Sequence, residues 1–345
     1  MTRQLPYSIT FIMSIQKFHS KYLILLPMVI GIAFCILLYS CDSSIKKNTQ
    51  TPVIGFLDLL QDETLAQAKK GFFIALKDHG FSEDHNNIEI IYRNAQNDQP
   101  TLLQACDYLI SRKVSLIASN PTLSTITAVQ KTKEIPVFMM VSPRPDIAGL
   151  TDASGKSPSN LFGVYETLEY IDTSIALIKS LMPSVKKIGA IFNQAEPQSV
   201  DALKRIEIQC AKSGLQLEKL PVTNSSETQI VVGALLNKKI DAFFALPDNI
   251  VFSSMEVIVK SCDDNHVPVF TSEEGLVKRG ALAAFGADMY QWGYQSGVQA
   301  SLFLESGSLN GLKPEIVKVR RRVFNETKAK LYNVVLDSTF ISVHQ

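Results

Sequence analysis

Short β-branched runs alternate with amphipathic stretches along this chain, and the alternation occurs twice. Runs at 53–57, 88–93, 114–118 and 136–141 are separated by stretches of helical character at 64–79, 101–111 and 123–131. Strand, helix, strand in this order implies a parallel sheet. Within 64–79, Ala66, Phe72, Phe73 and Leu76 keep an approximately helical spacing, and Gly80 supplies a C-terminal stop. The pattern resumes with runs at 187–192, 215–220, 241–246 and 267–271, separated by helical stretches at 201–212, 229–236 and 254–264. Ile54-Gly55 recurs as Ile188-Gly189, Lys113-Val114-Ser115-Leu116 as Lys239-Ile240-Asp241-Ala242, and Ile135-Pro136-Val137-Phe138 as Val267-Pro268-Val269-Phe270. Three echoes in one order, each about 130 residues on, predict two similar α/β lobes. A length of 345 residues accommodates them with a core in each.

Ahead of the alternation lies a segment of another kind. Tyr22 to Tyr39 are eighteen uncharged residues, directly after Lys17, His19 and Lys21. A positive region followed by an apolar one is the pattern of a signal peptide; eighteen residues is also the lower edge for a membrane-spanning helix. Leu38-Tyr39-Ser40-Cys41 resembles the bacterial lipobox, in which a small residue precedes a cysteine that is lipidated before the signal is cleaved. On that resemblance residues 1–40 are a lipoprotein signal and Cys41 is the lipid-bearing mature N-terminus, the alternative being an uncleaved anchor. Met13 is an alternative start, and Asp42 resembles an inner-membrane retention signal. Residues 42–51 (DSSIKKNTQT) are polar and aperiodic, as a tether is. Either reading puts the body outside the cytoplasm, in the cell envelope and held to the membrane.

With 46% hydrophobic and 19% charged residues and a formal net charge of +1, the chain is globular and has no basic footprint for nucleic acid. The leader holds Arg3, Lys17 and Lys21 and no acid, so the body itself is slightly acidic. Beyond Cys35 and Cys41 the cysteines are Cys106, Cys210 and Cys262, widely spaced and without a CxxC pair. Buried thiols fit that spacing best, with one disulfide left open by an oxidising envelope. His79, His85, His266 and His344 do not sit at ligand spacing to a second His or Cys, so no metal and no cofactor is expected. GxxxxGK[ST], HExxH, GxSxG and a strand followed by GxGxxG are all missing. Glu273-Glu274 lacks a partner nucleophile. No enzymatic role is expected.

In open parallel sheets ligands sit beyond the carboxyl ends of the strands. Asp58 follows the first run, and Tyr92, Asn94, Gln96 and Asp98 end or follow the second. The third ends in Ser119-Asn120-Pro121-Thr122, where Asn120 is expected to cap a helix that opens at Pro121. Free N–H groups there, flanked by Thr122, Ser124 and Thr125 hydroxyls, make a seat for a carboxylate. In the second half Asn193 to Ser199, Pro247-Asp248-Asn249 and Ser272-Glu273-Glu274 follow strands, and their acids suit an ammonium. Hydroxyls on one lobe against carboxylates on the other match a zwitterion. Polar caps and turns after strands are also the ordinary state of any α/β protein. The basic run 318–322 reads as a solvated face or a lobe-crossing segment, with partner docking as a further use.

These residues together resemble the solute-binding lipoproteins of ABC importers in the tryptophan/tyrosine-type group, which have the type I periplasmic-binding-protein fold. The likeness runs from Val53 to Asn333 and is carried by Ile54-Gly55 with Lys70-Gly71-Phe72, Tyr92 with Asn94-Ala95-Gln96 and Asp98, Asn120-Pro121-Thr122, and Pro145 to Leu150. It continues through Asn193 with Ser199, Val222 to Glu227, Pro247-Asp248-Asn249, Pro268-Val269-Phe270 with Ser272-Glu273-Glu274, and Val277 to Ala281. The resemblance implies an α/β architecture of two similar lobes, each a parallel sheet flanked by helices, joined by a three-crossover hinge. The crossovers then fall near Gly163-Val164, Gly286-Ala287 and Val317 to Val319, and the helix at 289–305 returns to the first lobe. After tether 41–51, the lobes would be 52–163 with about 287–318, and 164–286 with about 319–345.

It also implies closure on a small molecule, an amino acid and possibly an aromatic one, delivered to a permease driven by an ATPase. Thr122 and its neighbours Asn120 and Ser124 would hold a carboxylate and Asp248 an ammonium; Asn193, Asn249, Glu273 and Asp58 would complete the pocket. The chain departs from the family pattern at Ser142-Pro143-Arg144 and in a longer loop at 151–159, which would put Arg144 near the cleft. Alternatives are a ligand-sensing envelope lipoprotein that docks on a receptor and, more remotely, an envelope enzyme.

Overall fold

The computed structural model describes residues 51–343. The leader, Cys41 and all but the last residue of the tether lie outside the described residues. The first half runs β1 (Val53–Asp58), α1 (Glu63–Asp78), β2 (Glu89–Asn94), α2 (Gln99–Ser111), β3 (Leu116–Asn120), α3 (Thr122–Lys131), β4 (Val137–Met139) and β5 (Leu161–Tyr165). There follow α4 (Tyr170–Leu181), β6 (Lys187–Phe192), α5 (Pro197–Lys212), β7 (Gln216–Pro221), α6 (Thr228–Leu236), β8 (Ala242–Ala245), α7 (Asn249–Ser253), α8 (Met255–Asp264), β9 (Val269–Thr271), α9 (Glu274–Lys278) and β10 (Ala283–Ala287). The chain closes with α10 (Met289–Ser306), β11 (Glu315–Ile316), β12 (Arg320–Asn325), α11 (Glu326–Leu331) and β13 (Ile341–Val343).

Two sheets result. The first has the order β11-β5-β4-β3-β1-β2 and the second β13-β12-β10-β9-β8-β6-β7. Every named pairing is parallel except β10 with β12. Helices cover both faces, so central strands are buried on both sides and read as unbroken apolar runs rather than alternating ones. All five residues of β3 and all four of β8 are buried. Phe56, Phe138, Phe243 and Phe244 lie fully inside, each worth about 1.5–3 kcal/mol of transfer from water. Cys106, Cys210 and Cys262 are buried free thiols.

The alternation in the sequence did not predict β5 and α4. Gly163 sits inside β5 at a φ of +90°, and a Cβ there would lie 2.3 Å from the Met139 carbonyl oxygen. Glycine is what lets β5 close on β4, and glycine inside a strand removes the apolar signal. Likewise α5 begins earlier than expected because Pro197 opens it, where a missing N–H costs nothing.

The chain passes between the sheets three times: after Tyr165 at the end of β5, after Ala287 at the end of β10, and between Ile316 of β11 and Arg320 of β12. The passages are tied to one another. Arg320 Nε and Nη2 donate to Glu166 Oε2 and Oε1 at 3.0 and 2.7 Å, and Arg321 Nη2 lies 3.1 Å from Asp288 Oδ2. Asp288 also caps α10 through Gln291 N. The basic run is thus part of the crossing, with Arg320 and Arg321 matched by acids on the other two passages. From there α10 runs back along α1 of the first lobe, where Gly71, Gly293 and Gly297 let the two backbones meet. Among the described residues no helix is long and apolar enough to cross a membrane.

Candidate functional site

The carboxyl ends of both sheets face one another across a cavity. From the first lobe and its returning helix come Pro121 and Thr122 at the start of α3, Val141 to Pro143 after β4, and Met289 and Trp292 of α10. From the second come Leu168 and Tyr170, Gln198 of α5, Pro247, Asn249 and Phe252 around α7, and Glu273 before α9. Trp292 is fixed by its indole N–H, which donates to the Val164 carbonyl at 2.8 Å. The cavity is narrow, about 20 Å³, near the space one water needs.

Of the eight candidate residues, Thr122, Asn249 and Glu273 line this cavity and five do not. Asp248 is the clearest correction. Its Oδ1 caps α7 by accepting from Ile250 N and Val251 N at 2.8 and 3.2 Å, and its Oδ2 accepts from Ser199 Oγ at 2.6 Å and Asn193 N at 2.7 Å. Four donors fill a carboxylate's acceptor sites, so nothing is left for a ligand ammonium. Asn193 turns into its own loop, donating to Glu196 Oε1 and accepting from Ala195 N. Ser124 Oγ donates to the Asn120 carbonyl at 2.9 Å.

Asn120 does not cap α3. Pro121 occupies the cap position without a side-chain bond, and Asn120 Nδ2 donates instead to Asp58 Oδ1 at 3.2 Å and the Leu65 carbonyl at 3.4 Å. Asp58 lies behind the cavity wall, bonded by Tyr92 Oη at 3.0 Å with Lys69 at 3.9 Å. Burial pushes its carboxyl up to about 7 against those donors. Arg144 is likewise not in the cleft. It is half-exposed and forms a bidentate pair with Asp146 at 2.6 and 2.9 Å, on the rim of a separate groove beside 155–159.

The chemistry of the cavity rests on polar groups that the protein leaves unsatisfied. Glu273 is fully buried. Its Oε1 accepts from Tyr170 Oη at 3.2 Å and Ser272 Oγ at 3.1 Å, while Oε2 has no protein partner. Asn249 Nδ2 and Gln198 Oε1 are buried and unpartnered in the same way. Two acceptors and a donor on residues lining one cavity are thus open to groups that enter it. Behind them Glu196 accepts from the Asn249 backbone N–H at 3.0 Å and from Gln198 Nε2. Burial drives the Glu196 carboxyl upward, and the neighbouring Asp248 charge drives it further. Tyr170, Gln198, Phe252, Met289 and Trp292 were not identified from sequence. Trp292, the only tryptophan, was the one available signal.

Outside the cavity the lobes are joined by a charged contact. Arg279 after α9 donates to Asp62 Oδ2 at 2.6 Å, to Glu256 at 2.7 and 2.8 Å, and to the Phe252 carbonyl at 2.8 Å. Asp62 caps α1 with its other oxygen. Beside it Gly275 lies so close to Thr64 that a Cβ would come within 2.5 Å. Arg279→Met is expected to release this clasp, raising the radius of gyration of the free protein in X-ray scattering and weakening ligand binding roughly tenfold, about 1.4 kcal/mol of lost closing energy. An unchanged radius and affinity would remove the clasp from closure.

Residues 53–343 match the family model described as ABC transporter substrate binding protein. The chain belongs to this family. Its members are substrate-binding proteins and not enzymes, they work outside the cytoplasm, and they serve a transporter with a permease. Among relatives of this substrate-binding protein, the tyrosine-binding protein of Clostridioides difficile is 34% identical over 289 residues, covering 84% of this chain and 81% of the relative. A solved conserved domain protein from Vibrio cholerae superposes with a TM-score of 0.79 at 25% identity, covering 85% of this chain and 99% of that one. The ABC domain from Streptococcus pneumonia in complex with L-Trp gives 0.76 at 24% identity, covering 84% and 97%, and shares the fold.

Proposed function

We propose that this chain is the solute-binding lipoprotein of an ABC importer, capturing an amino acid, aromatic ones included, between its lobes and delivering it to the permease. The observation that carries this reading is the opposition of unlike groups across one cavity. The start of α3 at Thr122 offers free backbone N–H groups to a carboxylate. Glu273 Oε2 and Gln198 Oε1 offer acceptors to an ammonium, and Tyr170, Phe252, Met289 and Trp292 supply apolar walls for a side chain. The tyrosine-binding relative supports the same solute class.

On this reading the lobes are 52–163 with about 287–318, and 164–286 with the remainder, hinged at the ion-paired crossings. The ligand residues are Thr122, Asn249 and Glu273, joined by Gln198. Lipid on Cys41 would hold the protein on the membrane facing the periplasm or exterior.

Calorimetry of the purified full-length protein against tyrosine, tryptophan, small peptides and sugars tests the solute. Saturable binding of an amino acid is expected; binding of sugars alone would sink the reading. Labelled palmitate incorporation into the wild type and not into Cys41→Ala is the result expected for the anchor, and equal labelling of both would remove it.

A further inference from the structure

We propose that Glu273 selects solutes carrying a cationic nitrogen and takes that nitrogen up as a carboxylate, so that capture releases one proton to solvent. This rests on the amino-acid reading above and adds to it a residue and a stoichiometry. Glu273 is enclosed on every side without a counter-ion. From α4 comes the Tyr170 hydroxyl and from the exit of β9 the Ser272 hydroxyl, both donating to Oε1. The nearby acid on the first crossing, Glu166, has its carboxylate held by Arg320 of β12, so that guanidinium is already engaged. The facing wall of the second lobe presents Gln198 and Asn249, with the acids Glu196 and Asp248 behind them. The first lobe presents Thr122 and Ser142, and α10 presents Met289 and Trp292. None of these residues is positive.

A carboxyl so placed keeps its proton. Burial pushes Glu273 up to about 8, the two hydroxyl donors pulling it down by less and the Glu166 charge adding to the rise. An ammonium seated against Oε2 supplies the missing positive charge and a donor for the unpartnered oxygen, and this favours the ionised form. In the exchange only the carboxyl O–H bond breaks; its proton goes to solvent, and the ammonium keeps all three of its own. The sign follows from linkage. Below the carboxyl's free value the protein must lose a proton to bind, so affinity rises by up to tenfold per pH unit and levels off once Glu273 is ionised without ligand. A fixed carboxylate, already charged in the free protein, would give a flat profile over the same range.

The test is calorimetry of the full-length protein with L-tyrosine at pH 7, in phosphate and in Tris, whose ionisation enthalpies differ. The difference in measured heat reports the protons exchanged. About one proton released per tyrosine bound is expected, with affinity tightening about tenfold from pH 6 to pH 7. Glu273→Gln, which keeps the shape and hydrogen bonds of the neutral acid, should bind tyrosine more weakly, release no proton and show a flat profile. On the unaltered protein, 3-(4-hydroxyphenyl)propionate, tyrosine without its amino group, should bind more than about tenfold more weakly, with no proton released. Tight tyrosine binding without proton release, or release that persists in Glu273→Gln, overturns this inference and leaves the amino-acid reading standing. Failure of tyrosine, tryptophan and every other amino acid to bind overturns both.

Discussion

Gly293→Ala is expected to destabilise the protein, although helix propensity alone predicts the opposite. Alanine in a helix interior is favoured over glycine by about 1 kcal/mol. At this position, however, a Cβ would stand 1.8 Å from the Ala68 carbonyl oxygen and 2.5 Å from its carbon. Both obstacles are backbone, so no rotamer change relieves them; α10 must lift away from α1. Overpacking of this kind costs about 3 kcal/mol or more when the backbone has to move, which leaves a net loss of about 2 kcal/mol and a melting temperature lower by about 5 °C. Gly71 and Gly297 share the contact, with Cβ positions 2.0 and 2.5 Å from the carbonyls of Tyr290 and Phe72, so the helix cannot pivot on its neighbours to escape. Because α10 also carries Met289 and Trp292 into the cavity wall, ligand affinity should fall with stability. A melting temperature that rises would show that the helices separate without cost.

Arg320→Ala is expected to cost more. Glu166 is 0% exposed and is held by two guanidinium bonds, with its remaining donors coming from Thr167. Removing one member of a buried pair strands the other, which typically costs about 3–5 kcal/mol. The Arg320 side chain is 28% exposed, so water can reach part of the gap and the low end applies, roughly 3 kcal/mol or a fall of about 8 °C in melting temperature. The decisive measurement is a double-mutant cycle. Glu166→Gln together with Arg320→Ala should recover most of the loss, because the stranded charge is then gone. A single variant that costs less than 1 kcal/mol would show that the crossing is held by its backbone and not by this pair.

The parallel sheets were legible because they depend on local periodicity, which sequence carries directly, and the two lobes because three short segments recur in one order about 130 residues on. Val53–Asp58 and Lys187–Phe192 fell within a residue of where apolar spacing put them, and Met289–Ser306 within a residue of where the family resemblance put it. Where a local signal was interrupted the reading failed, as at β5, where Gly163 serves the packing of β4 and carries no side chain of its own.

The site divided along the same line. Sequence placed polar residues after strands, three of which line the cavity, since parallel sheets expose their carboxyl ends there. It could not assign them roles, because an acid's role depends on which donors reach it from elsewhere. Asp248 is satisfied by Ser199 and Asn193, 49 and 55 positions away, and so becomes a cap. Glu273 is met by Tyr170 across 103 positions on one oxygen and by no protein group on the other, and lines the cavity. Local propensity thus determined the architecture and the neighbourhood of the site. The choice between two buried carboxylates was made by contacts that only the folded chain brings together, since desolvation and donor count are properties of packing.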